Sequence, residues 1–136
     1  MTASERAVEL TIAAAEAADE KLAQNIVAFD VSDHLAITDV FLVCSAPNER
    51  QVGSIVDEIE RRLRDTHDMK PLRREGDKEN RWVLLDYFDI VVHVQDNEER
   101  AFYDLERLWK DCPTIALPDS VGTPSSSVGE AAGGTS

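Results

Sequence analysis

Apolar positions recur along this chain in two rhythms, and the changes of rhythm mark its elements. From about residue 4 to residue 22, Ala7, Leu10, Ala14 and Ala17 fall at helical spacing in a run rich in Ala, Glu and Lys, all strong helix formers. Their small side chains would let such a helix lie close against a sheet. A second helix is predicted after the turn at residues 45–48, with Asn48 and Gln51 as a loose capping pair. Val52, Ile55, Val56, Ile59 and Leu63 mark its buried face, and Glu58, Arg61, Arg62 and Arg64 its wet one. It should end near His67 and Asp68. Residues 26–31 read as a short strand, and the continuous apolar run at 39–45 as a central strand covered on both faces. Residues 70–76, broken by Pro71 and Gly76, predict a weak strand or an extended loop.

Residues 80–109 are the most informative stretch, a β-hairpin followed at once by a helix. If Asp86 pairs with Asp89, then Leu84 faces Val91 and Trp82 faces His93. Strand alternation then puts Val83, Leu85, Ile90, Val92 and Val94 on one side, and Trp82, Leu84, Val91 and His93 on the other. A core needs one of those faces; the second is free to meet something. Tight two-residue turns favour Gly or Asn at positive φ, and Tyr87-Phe88 supplies neither, so a longer loop in the same register is the alternative. A slip of one residue would exchange the faces. The third helix opens at Asp96 with Glu99, or Asn97 with Arg100, with Ala101, Phe102, Leu105, Leu108 and Trp109 as its apolar face. Tyr103 points off that face. Pro113 stops the helix, and the Gly- and Ser-rich residues after Pro118 carry almost nothing to bury.

The chain's 136 residues, 43% apolar and 30% charged, suit one domain with one hydrophobic core. A net charge of −13 repels nucleic-acid phosphates and anionic membranes and attracts basic partners. Cys44 and Cys112 form no C-x-x-C pair, and Cys44, within an apolar run, reads as a small buried hydrophobe. With no secretory signal and no run of membrane-spanning length, a cytoplasmic location is expected.

Catalytic chemistry finds little support. Asp86, Asp89 and His93 share one face of the hairpin, but Asp is common beside turns, and His93 lies about 13 Å of strand from Asp89. A structural turn and a surface histidine are the better reading. Phosphate-loop, dinucleotide, nucleophile-elbow and zinc-protease motifs are missing. No cofactor or metal is expected. Trp82 and Tyr103 are amphipathic aromatics of the kind that anchor interfaces, although a tryptophan on a strand can equally be core. The residues alone leave that choice open.

Four motifs occur in one order: Ile37-Thr38-Asp39-Val40-Phe41; Asn48-Glu49-Arg50-Gln51-Val52; Trp82-Val83-Leu84-Leu85-Asp86-Tyr87 with Asp89-Ile90-Val91-Val92-His93; and Arg100-x-Phe102-Tyr103-x-Leu105-Glu106-x-Leu108-Trp109. Together they resemble the ribosomal silencing factor family, also called the Iojap family. The resemblance covers residues 7–109. It implies an α/β fold, a single domain with a mixed sheet flanked by helices, akin to nucleotidyltransferases without their catalytic motifs. It also implies a non-catalytic protein that binds the large ribosomal subunit through its universal ribosomal protein numbered fourteen. Subunit joining is thereby blocked and translation repressed when nutrients are short. Phe88 stands where the family usually has Gly, and the residues after Pro113 match no family motif. The domain is expected at residues 1–112, with a disordered tail at 113–136.

On this reading the partner-binding surface comprises Trp82, Leu84, Asp86, His93, Arg100 and Tyr103. Trp82 and Tyr103 would supply buried area, and Asp86 would pair with a basic side chain. His93 and Arg100 would hydrogen-bond or hold the hairpin and helix in register. A homodimer using the same face is a second expectation. The alternative from another class is a nucleotide-acting enzyme of nucleotidyltransferase-like fold, which would show metal-dependent turnover lost in Asp86→Asn.

Overall fold

The computed structural model describes residues 2–76 and 79–121. Ser4 caps helix α1 (Glu5–Glu20), its side chain accepting from the Ala7 N–H, and Asn48 caps α2 (Glu49–His67) through the Gln51 N–H. The expected capping pair at Asn48 and Gln51 is therefore formed. The α2 helix stops where Asp68 turns left-handed at φ 53°, a conformation Asp tolerates better than most residues. Ala7, Ala14, Ala17 and Ala18 in α1 are fully buried, as are Val52, Ile55, Val56, Ile59 and Leu63 in α2.

Both helices cover one face of a five-stranded sheet ordered β1-β2-β5-β4-β3. Its strands are β1 (Gln24–Asp30), β2 (Val40–Ala46), β3 (Arg73–Gly76), β4 (Trp82–Asp86) and β5 (Ile90–Asp96). The central pair β2 and β5 is parallel and every other pairing antiparallel. The fold is mixed α/β, and β5 is buried along its whole length, as a strand covered on both faces must be. Gly76 is required at the end of β3, because a Cβ there would stand 2.9 Å from the Trp82 carbonyl oxygen.

The hairpin pairs two residues away from the simplest expectation: Leu84 faces His93, Trp82 faces Gln95 and Asp86 faces Val91. A longer connection causes this, with Phe88 at φ 74° and its N–H donating to Asp86 Oδ1 at 2.9 Å. A shift of two preserves the faces. Val83, Leu85, Ile90, Val92 and Val94 all join the core under the helices.

The third helix departs further from expectation. Two short helices, α3 (Asn97–Tyr103) and α4 (Leu105–Leu108), meet at Asp104, which is left-handed at φ 48°. The break ends the helical phase after seven residues, so the expected apolar face divides: Leu105 and Trp109 are half-buried and the rest of it is exposed. Ala101 is exposed, and Phe102 and Leu108 are 80% and 70% exposed, whereas Arg100 turns inward. Beyond α4 the chain continues to pack where a tail was expected to begin. Asp30 donates its N–H to the Pro113 carbonyl and Ile115 donates to that of Ala28. Ile115 and Leu117 rest against the helix-side core, and Val121 is buried within it. The remainder of the expected tail, residues 122–136, lies outside the described residues.

Candidate functional site

The sheet face away from the helices is set out in rows by strand register. One row runs Val27, Val43, His93, Leu84, Glu75; a second runs Phe29, Phe41, Val91, Asp86, Arg73. Both rows pass from apolar at β1 to charged at β3. The chain around Trp109 and Cys112 covers the apolar end, packing with Phe29, Val31, Val43 and Phe41. The β4 end is open. There a groove of about 380 Å³ is lined by Glu75, Gly76, Arg81, Trp82, Leu84, Glu99 and Tyr103.

Aromatic rings connect the two ends. Tyr103 packs on Trp82 with ring centroids 4.7 Å apart, and Trp82 donates its indole N–H to His93 Nδ1 at 3.2 Å. His93 meets Phe41 edge-on at 5.1 Å, and Phe41 meets Trp109 at 5.2 Å. Burial pushes the His93 imidazole down to about 4, since a charged ring loses its hydration there. The neutral ring that accepts at Nδ1 carries its proton on Nε2, and that buried nitrogen has no hydrogen-bond partner among the described residues. The buried amide of Gln95 also lacks a partner there, and nothing in the structure accounts for it. Burial likewise raises the Cys44 thiol to about 12, the behaviour of an inert core side chain.

The six expected contact residues therefore fall into two groups. Trp82, Leu84 and Tyr103 meet at the groove, Trp82 and Leu84 half-buried and Tyr103 49% exposed. Asp86 lies in the next row, engaged by Arg73 at 3.4 Å and by the Phe88 N–H. His93 and Arg100 are buried behind the surface. Arg100 pairs with Glu106 at 2.9 Å and donates to the Gln24 carbonyl and Ser45 Oγ, which ties α3 to β1 and β2. Glu75, Arg81 and Glu99 complete the groove without having been foreseen. For Glu75 the missing signal was the pairing of β3 with β4; for Glu99, its reading as a helix-opening residue concealed a second role.

The ribosomal silencing factor during starvation family matches residues 4–133 of the chain. The chain belongs to the ribosomal silencing factor family. A ribosomal silencing factor of Bacillus subtilis is 42% identical over 76% of this chain and 87% of its own length. The one from Halalkalibacterium halodurans is 40% identical over 80% of this chain and 92% of its own length. A crystal structure of a protein from Bacillus halodurans superposes with a TM-score of 0.69 at 36% identity, covering 84% of this chain and all of that one. These silencing factors are named for regulation and not for catalysis. The family match, at residues 4–133, takes in every residue of the aromatic row and of the groove.

Proposed function

We propose that this silencing factor is a non-catalytic repressor of translation that binds the large ribosomal subunit through its universal ribosomal protein numbered fourteen and prevents the small subunit from joining. Family membership supports a ribosomal partner. The observation that carries the surface is the Trp82–Tyr103 pair, its rings 4.7 Å apart and tilted by 50°, left half-open over the groove. Paired aromatics, the indole held by a partly buried hydrogen bond to His93, supply contact area with little entropy to lose, which is how interface anchors work. Leu84 extends the apolar patch, and Asp86 offers charge at its margin. His93 and Arg100 support the contact residues from behind. The net charge of −13 favours a basic ribosomal protein over exposed RNA.

Co-sedimentation with separated ribosomal subunits tests this directly. Wild type should pellet with large subunits and not with small ones, and should inhibit their association. Trp82→Ala and Tyr103→Ala, shown to be folded, should each weaken binding by about 2 kcal/mol. Retention of full binding by both variants would remove the groove from the interface. Exposure of Phe102 and Leu108 supports a second reading, self-association through the same side of the molecule. Sedimentation equilibrium of wild type against Phe102→Ser tests it, and a monomer at all concentrations would exclude it.

A further inference from the structure

Tyr103 forms a wall between two cavities. One is the groove over β4; the other, of about 310 Å³, is lined by Glu98, Glu99, Phe102 and Tyr103. Phe102 stands edge-on to Tyr103 at 5.0 Å. Glu99 lines both cavities. It is half-buried, and among the described residues its carboxylate takes part in no ion pair or hydrogen bond; its backbone N–H is the group bound, donating to Asp96 Oδ1 at 2.7 Å. Glu98, exposed beside it, likewise forms no ion pair among the described residues, whereas Glu75 pairs with Arg73 at 3.0 Å, Asp86 with Arg73, and Glu106 with Arg100. Arg81 lines the larger cavity but lies 3.7 Å from Glu79.

A carboxylate partly removed from water gains most from a cation brought to it, and aromatic walls add attraction for the same charge. We infer that the two cavities are a double acceptor for basic side chains of the partner, with Glu99 as the shared counter-charge and Tyr103 as the partition that spaces them. The inference rests on the large-subunit reading and specifies what the surface recognises there: Lys or Arg side chains of a basic protein. Arg is the better fit beside Trp82 and Tyr103, because a planar guanidinium can stack on a ring while bonding a carboxylate. Phosphate is disfavoured, since Glu98 and Glu99 would face it.

The test is a binding titration of wild type, Glu99→Gln, Glu99→Lys and Glu5→Gln against purified large subunits at low and moderate salt. Glu5 is an exposed acid of α1 on the opposite layer and serves as the control for general charge. Glu99→Gln keeps the backbone cap and should fold normally. It should bind about ten-fold more weakly with a flatter salt dependence, Glu99→Lys should not bind measurably, and Glu5→Gln should stay within two-fold of wild type. Glu99→Gln binding within two-fold of wild type, while Trp82→Ala titrated alongside binds about thirty-fold more weakly, would overturn the acceptor and leave the large-subunit reading intact. Tighter binding by Glu99→Lys would mean that the cavities face RNA phosphate, which also overturns it. Wild type failing to bind large subunits at all would bring down both.

Discussion

His93 gives the indole of Trp82 its acceptor, and burial decides which form of the ring can serve. The imidazole is pushed from its usual 6.5 to about 4 by loss of hydration, so the folded protein holds it neutral where the unfolded chain would protonate it. Between these values the unfolded state binds more protons, and stability must rise with pH. The contribution is fully present above pH 6.5 and is lost as the pH falls towards 4, about 3 kcal/mol in all. Urea unfolding of wild type and His93→Gln at pH 7 and pH 4.5 should show this as a difference in slope, with the variant less sensitive to acid. Equal slopes would mean that the folded protein already accommodates the charged ring. Protonation would also put a proton on Nδ1, where the indole now donates, so Trp82 should lose its fixed orientation over the same interval.

Elements were most legible where one periodicity held throughout. The small-residue stripe of α1, the capped α2 and the central apolar β2 all follow from side-chain spacing and capping chemistry. Register in the hairpin was harder to read, because Tyr87-Phe88 contains no residue that favours positive φ, yet Phe88 adopts it at 74°. Tertiary pairing on both sides of the loop outweighs that local preference. Phe88 is 63% exposed, so Phe88→Gly gives up little burial while relieving a left-handed side chain. It should raise stability by up to about 1 kcal/mol, the steric relief being partly offset by greater freedom of the unfolded chain. A shift in urea midpoint at constant slope would check it; destabilisation would mean that the Phe88 ring has a packing role. The break at Asp104 was not legible. Residues 97–109 keep an apolar helical spacing that suits one helix, whereas the partly buried pairing of Arg100 with Glu106 draws the chain around a corner.

At the scale of the whole molecule, composition misplaces the end of the domain. Residues 113–121 look like the start of a polar tail, yet the backbone of Pro113 and Ile115 pairs with Asp30 and Ala28, more than 80 positions earlier, and Val121 joins a core drawn from both helices and the sheet. No local pattern reports a contact that distant. The candidate site was legible for a related reason in reverse: Trp82 and Leu84 share a strand face, and alternation alone places them together, while Tyr103 arrives through the adjoining helix. Its acidic lining, drawn from β3 and α3, needed the fold. The segment 113–121 pairs with the outer edge of β1 and then inserts Val121, 6% exposed, among the residues packed under the helices. An unpaired edge strand invites association with other chains, so the segment both closes that edge and adds apolar burial. Val121→Asp would place a carboxylate in the core without a partner and should destabilise the domain by about 3 kcal/mol or more. Val121→Ala should cost about 1 kcal/mol, mostly through lost burial. Urea unfolding of both variants separates the two effects. Stability unchanged within about 0.5 kcal/mol in Val121→Asp would show that the segment leaves the core in solution and that the domain closes before it.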